Sequence, residues 1–156
     1  MRSLDQMIEV MHTHARGMLI GSATEQLTPL FHVQFKNRPD ALIPAPWRND
    51  QEKLGYTHAV KAVLRQFKPI VVNYAFLSEA WVATQDHEPR PDDLSPSQRE
   101  TRKECVIVSA GDHDGARMKM WEIIRDDQAR VTDLAEIKSK AAAHFEGRMH
   151  NLLAED

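Results

Sequence analysis

Apolar residues in the first twenty positions recur every three or four residues, which is the spacing of one helix face. Ser3 can cap the start of this helix, and Gly17 or Gly21 can end it. The apolar stripe consists of Leu4, Met7, Ile8, Met11, Ala15, Met18 and Leu19. We therefore predict an N-terminal helix within residues 1–21, which either lies on the domain or makes a partner or subunit contact.

From residue 31 the apolar period changes to two. Phe31, Val33 and Phe35 alternate with His32 and Gln34, which predicts a strand with one buried face and one wet face. Residues 36–40 have the composition of a turn, and residues 41–47 return as a second strand. Two prolines restrict this second strand to a short length or to a sheet edge.

A second helix is predicted between residues 49 and 67. Asn49 precedes Glu52 by three residues, as in a capping box, and Pro69 blocks continuation of the helix. Its apolar stripe consists of Tyr56, Ala59, Val60, Val63, Leu64 and Phe67.

Three more strands follow this helix. Residues 70–83 are apolar on both parities, which is typical of a central strand covered on both faces. Residues 101–110 and 116–125 form the other two strands, joined by a tight turn at residues 111–115. Residues 85–100 are polar, contain three prolines and are predicted to be a long loop or hairpin tip, the most mobile internal segment.

The last predicted element is a C-terminal helix at residues 132–154. Asp133 and Glu136 resemble a capping box, and an apolar stripe follows with Leu134, Ile137, Ala141, Phe145, Met149 and Leu152. The predicted order is α-β-β-α-β-β-β-α. It indicates a single α+β domain over residues 1–156, with the sheet and central helix in residues 29–126. We expect a mostly antiparallel sheet of about five strands with helices packed on it, most economically on one face.

Composition narrows the functional classes. The 156 residues suit one soluble domain, since 42% are hydrophobic and 28% charged. Twenty basic against 23 acidic side chains make nucleic-acid binding unlikely as a main role, and the chain has no apolar run long enough to span a membrane. A single cysteine, Cys105, allows no intramolecular disulfide and is interpreted as an inert buried thiol. With no signal-peptide pattern, these features indicate the cytoplasm.

Glu79 is the most suggestive candidate for chemistry, because it interrupts a long apolar strand. It either forms a cross-strand ion pair with Arg117 or Lys119, or acts as a general acid or base in a pocket lined by Trp81 and Trp121. The candidate pocket is therefore Glu79, Trp81, Arg117 and Trp121. No other group stands at a recognised catalytic spacing, so no catalytic residue is assigned.

Metal and cofactor sites are not predicted. Asp112, His113 and Asp114 form the densest cluster of ligand-type residues and are weak metal candidates. The same residue types are favoured in turns, and we prefer that interpretation. Phosphate-binding glycine motifs are absent from the sequence, so the predicted cofactor is none.

The string Tyr74–Trp81, followed by a further strand and by Asp112–Gly115, resembles small uncharacterised bacterial and phage proteins of unknown function. The resemblance covers roughly residues 31–125. It implies an antiparallel sheet and a cytoplasmic or phage-encoded origin, and it implies no activity.

The preferred hypothesis is a non-enzymatic cytoplasmic interaction module that acts through its sheet face or its terminal helices and self-associates as a dimer through those helices. The alternative is a small enzyme or ligand-binding domain with its pocket around Glu79, Trp81 and Trp121. A third, weaker hypothesis is a DNA-associated phage regulator.

Overall fold

Six antiparallel strands form a single sheet in the computed structural model, which describes residues 1–82 and 102–138. The strand order across the sheet is β2-β1-β3-β4-β5-β6. The elements are α1 (Leu4–Leu19), β1 (Leu30–Phe35), β2 (Ala41–Pro44), α2 (Asp50–Gln66), β3 (Val71–Val82), β4 (Lys103–Asp112), β5 (Ala116–Arg125) and β6 (Val131–Glu136). The predicted α+β class with an antiparallel sheet is confirmed.

Strand β3 is central, as its apolar residues on both parities predicted. It pairs with β1 on one side and β4 on the other. Ala75 and Leu77 point towards one core cluster, whereas Tyr74 and Phe76 point towards the other. A sheet with a core on each face needs a layer on each face, and the two helices supply these layers.

Helix α1 covers the first face. The Ser3 hydroxyl accepts the Gln6 backbone N–H, and the Gln6 side chain accepts the Ser3 N–H, which completes a capping box. The predicted apolar stripe is buried against Ala75, Val106 and Trp121, among others. Its buried members are Met7, Ile8, Met11, Ala15 and Leu19. Of the two interpretations of this helix, the structure therefore shows the one in which the stripe lies on the domain.

Helix α2 covers the opposite face, over β1 and β3. The Asn49 side chain accepts the Glu52 backbone N–H at 2.9 Å, as the sequence predicted. Val60 and Leu64 pack with Phe31, Val33 and Phe76. The expectation that the helices share one face was wrong, because alternate residues of β3 are apolar on both sides and each side needs cover.

The predicted C-terminal helix was wrong at its start, because residues 131–136 form the sixth strand. A register shift where Ile124 and Arg125 pair with β6 lets Val131 and Leu134 both enter the α1 core although they lie three residues apart. A spacing of three residues between buried apolar residues is also typical of a helix, and for this reason the sequence does not reveal the strand. The remainder of that predicted helix, and the predicted loop at residues 85–100, lie outside the described residues.

The turn between β4 and β5 lies where the sequence placed it, with the Asp112 N–H donating to the Gly115 carbonyl at 2.9 Å. Gly111, just before it, faces Tyr74 on β3. A Cβ at this position would lie 2.7 Å from the Tyr74 ring, so the close approach requires glycine. Within the described residues, neither helix has the length and apolar character to cross a membrane.

Candidate functional site

Glu79 and Trp121 lie in one row across the sheet, on the face covered by α1. Glu79 pairs with Val106 on β4, and Val106 pairs with Trp121 on β5. The two candidate residues are therefore two strands apart, about 10 Å, with the buried Val106 side chain between them.

Trp121 belongs to the core rather than to an open wall. Its side chain is only 3% exposed, and its ring stacks on His12 of α1 with centroids 4.3 Å apart and planes within 7°. The His12 Nδ1 atom lies 3.7 Å from the Glu9 carboxylate. A ligand could reach Trp121 only if α1 moved away.

Arg117 is placed at the other end of the same face. It lies four residues from Trp121 along β5, about 13 Å of strand. Its guanidinium binds the Asp5 carboxylate of α1 at 2.7 Å, and this contact raises the pKa of Arg117. Arg117 therefore fastens the start of α1 to β5 and is not the ion-pair partner of Glu79.

The Glu79 side chain is half-buried and binds the backbone of the segment between α1 and β1. Its carboxylate accepts the Leu27 backbone N–H at 2.8 Å. Burial raises the pKa of Glu79, and this is the largest effect. The Leu27 hydrogen bond lowers the pKa, the nearby Glu104 carboxylate raises it, and the nearby Arg125 guanidinium lowers it. A raised carboxyl pKa is suitable for a general acid, but this carboxylate is already bound to the backbone of the chain.

The strong ion pair near Glu79 is formed by its neighbours. Arg125 donates to both oxygens of Glu104, at 2.9 and 2.8 Å, in the two-pronged geometry that favours arginine. Lys119, the other predicted partner, lies 3.7 Å from Glu136 instead. The end of the sheet around Glu79 is thus a charge network in which each described carboxylate has a partner.

Trp81 is the exposed member of the candidate group. It lies two residues beyond Glu79 on the same face, and 44% of its surface is exposed. The Arg102 guanidinium carbon lies 4.6 Å from the ring centre, a cation–π contact. We call Trp81 and Arg102 the Trp81–Arg102 surface. The sequence analysis assigned no functional role to Arg102. The available signal was its position directly before β4, a strand that pairs with β3.

One open depression on the described surface lies elsewhere. It runs along α1 and is lined there by Arg2, Asp5, Gln6, Glu9 and Val10. None of the four candidate pocket residues lines it. Among the described residues, the structure therefore brings Glu79 and Trp121 into one row, whereas Arg117 stands at the other end of the same face, beside Asp5.

The weak metal candidates Asp112, His113 and Asp114 lie in the turn between β4 and β5, where they make hydrogen bonds that stabilise the fold. One Asp112 carboxylate oxygen accepts the backbone N–H groups of Asp114 and Gly115, at 2.8 and 3.0 Å. His113 makes a 2.8 Å hydrogen bond between its Nε2 atom and the Val71 carbonyl. Across residues 1–82 and 102–138, no three His, Cys, Asp or Glu residues are grouped to hold a metal ion.

The sequence analysis missed a cluster of buried polar side chains on β1 and β3. His32 and Gln34 were predicted to lie on a wet face, and this was wrong, since they are only 5% and 7% exposed. Asn73, which pairs with Gln34 across the two strands, is 3% exposed. Alternation of polar with apolar residues shows which residues share a face but not whether that face is covered.

Comparison of the chain with protein-family models, with curated proteins and with solved structures gives no match. The resemblance to small bacterial and phage proteins therefore stays a prediction.

Proposed function

We propose that this chain is a non-enzymatic, cytoplasmic interaction module that binds a partner protein through the Trp81–Arg102 surface. The observation that carries the proposal is the half-exposed Trp81 ring with the Arg102 guanidinium over it. Tryptophan and arginine are the residue types that most often dominate the binding energy of protein interfaces. An apolar ring of this size left partly in water gains free energy when a partner covers it.

The surface favours a partner segment of definite chemistry. Trp81 offers an apolar ring, and Arg102 adds a positive charge beside it. We therefore expect a partner segment with a large apolar or aromatic side chain that covers the Trp81 ring.

The alternative function, a small enzyme or ligand-binding domain around Glu79, Trp81 and Trp121, has one observation in its favour. Burial raises the pKa of Glu79, as general acids require. Against it, Glu79 holds the Leu27 amide and Trp121 is covered by α1. The binding module is therefore preferred.

The proposal also includes self-association, in which α1 is the terminal helix that makes the contact. The core side of α1 is occupied by its own sheet, so a second copy would use the exposed residues of this helix. Val10 and Met18 are the large apolar residues of α1 that are exposed, Val10 away from the buried stripe and Met18 beside it in the last turn.

The proposal is tested by selecting a displayed library of random peptides on the immobilised full chain. An enriched peptide is then titrated against the wild type and against Trp81→Ala and Arg102→Ala. Each variant should weaken binding by about thirtyfold, the equivalent of a 2 kcal/mol interface residue. Leu54→Ala is a matched control, because Leu54 is 42% exposed and lies on α2.

Two outcomes contradict the proposal. One is enrichment of peptides that bind wild type and Trp81→Ala equally well. The other is failure to enrich any peptide on the correctly folded chain. Glu79→Gln separates the alternative, since it should leave peptide binding unchanged if Glu79 only holds the Leu27 loop.

A further inference from the structure

Three polar side chains form a buried patch on the α1 face of β1 and β3. They are His32, Gln34 and Asn73, and we call them the polar cluster. Gln34 and Asn73 are direct cross-strand partners, so their Cβ atoms lie about 5 Å apart. His32 precedes Gln34 by two residues and points to the same side. All three are more than nine-tenths buried.

Each member of the polar cluster has a buried side-chain atom with no hydrogen-bond partner. These atoms are His32 Nδ1, Gln34 Oε1 and Asn73 Oδ1. An unpaired polar atom is costly when it is buried, so three of them on adjacent strand positions are an exception. Such groups in a native protein usually face a water, an ion or a ligand.

The neighbouring contacts settle what two of these atoms can bind. The Asn73 side-chain N–H donates to the Arg2 carbonyl at 2.8 Å, which identifies the other amide atom, Oδ1, as the buried acceptor without a partner. His32 Nε2 lies 2.7 Å from an Asp40 carboxylate oxygen, so Nε2 carries the proton. In the neutral imidazole, Nδ1 is then an acceptor.

We propose that the polar cluster binds a compact hydrogen-bond donor, either an ammonium group or a water molecule. Two fixed acceptors, and a third in Gln34, require a partner with at least two N–H or O–H groups. A metal ion is a poorer fit, because amide oxygens with a single imidazole are not a strong ligand set for divalent transition metals.

The N-terminal segment closes the site. The Arg2 guanidinium binds the same Asp40 oxygen at 3.0 Å, so Asp40 joins Arg2 to His32. The Arg2 guanidinium therefore offsets the Asp40 charge beside the polar cluster. Water is accepted there without an electrostatic penalty, whereas an ammonium group would compete with Arg2 for Asp40 as its counter-charge.

The experiment compares melting temperatures in ammonium chloride and in tetramethylammonium chloride at equal ionic strength, since the second cation has no N–H. It uses the wild type, Gln34→Met, which removes an acceptor and keeps the length of the side chain, and Gln51→Met. Gln51 is an exposed residue of α2 and provides the control. If ammonium is the donor, it raises the wild-type Tm relative to tetramethylammonium, and Gln34→Met abolishes this difference.

If water is the donor, the two salts give the same wild-type Tm, and Gln34→Met lowers the Tm in both. NMR then also shows magnetisation transfer from a long-lived water to the Asn73 side-chain amide. The proposal is overturned if the salts give the same Tm and Gln34→Met raises it. That result means the amide was buried without a partner, so that an apolar side chain of equal length is better tolerated. Peptide binding at Trp81 is independent of every one of these outcomes.

Discussion

Two tryptophans on the same face of the sheet have opposite environments. Trp121 is stacked under α1 on His12, whereas Trp81 lies near the end of β3, where the Arg102 guanidinium lies over its ring. The difference comes from where they stand along the strands. A residue in the middle of the face is covered by the helix, and a residue at the end of a long hairpin is not.

Cys105 should react slowly with thiol reagents. Burial, reinforced by the nearby Glu122 carboxylate, raises the pKa of this thiol to about 11. At pH 8 only about one molecule in a thousand then carries the reactive thiolate. We expect labelling by a disulfide reagent to be far slower in native protein than in guanidinium chloride, where the chain is unfolded. Complete labelling of the native protein within minutes would show that the thiol is accessible.

Glu79 should make stability depend on pH in a predictable direction. Burial raises the pKa of Glu79 in the folded chain, so its stabilising contribution is full below the unfolded value of about 4.3 and is lost as pH rises through the folded value. Glu79→Gln keeps an oxygen for the Leu27 N–H and cannot ionise. We expect this variant to be at least as stable as the wild type at pH 7, with the difference shrinking near pH 4, as measured by urea unfolding.

Glu104→Gln is the matched control for that measurement. Glu104 is bound at both oxygens by Arg125, so loss of its charge should destabilise the chain at pH 7. If Glu79→Gln is also destabilising at pH 7, the Glu79 carboxylate is favourable in its charged form and our account of its environment is wrong.

At the scale of elements, strand β6 is tested by its buried leucine. Leu134 is part of the α1 core, and replacing a buried leucine with alanine costs about 2–5 kcal/mol. Leu134→Ala should therefore lower the free energy of unfolding by that amount. Thr132 is exposed in the same strand, and its hydroxyl donates to the Ile124 carbonyl at 3.3 Å. Thr132→Ser keeps this hydroxyl and should change the free energy of unfolding by no more than about 0.5 kcal/mol. Equal effects of the two substitutions would mean that this segment is not packed as described.

Elements with strong local signals could be predicted from the sequence. Ser3 and Asn49 accept hydrogen bonds at the starts of the two helices, and the turn after Asp112 follows from its own residues. These features depend on interactions within four residues, so the sequence displays them directly.

Features that depend on distant parts of the chain could not be predicted. The burial of His32 and Gln34 depends on what covers that face, and the strand at residues 131–136 depends on pairing with β5. The relative positions of the four candidate pocket residues also depend on distant parts of the chain. Parity placed its four residues on one face, but only the register along β5 shows that Arg117 stands at the far end, beside Asp5.

At the scale of the whole molecule, we predict a dimer that uses the exposed apolar residues of α1, Val10 and Met18. Light scattering coupled to size exclusion should give about twice the chain mass of 17.8 kDa. Val10→Asp with Met18→Asp should return the mass to that of one chain without unfolding it, since both residues are exposed. By contrast, Met11→Asp should unfold the protein, because Met11 is buried in the α1 core.

A mass of one chain for the wild type at micromolar concentration would reject the dimer. A dimer that survives the double substitution would reject these residues of α1 as its interface.

The attachment of α1 has a consequence for the order of events during synthesis. This helix leaves the ribosome before the sheet on which it packs, yet Asp5 binds Arg117, 112 residues later, and Arg16 binds Asp133, 117 residues later. Gly21 and Ser22 exchange backbone hydrogen bonds with Val131. The nascent helix can therefore complete its attachments only after β6 emerges. It is made before the strands that fix it, which leaves a long interval in which a chaperone could hold it.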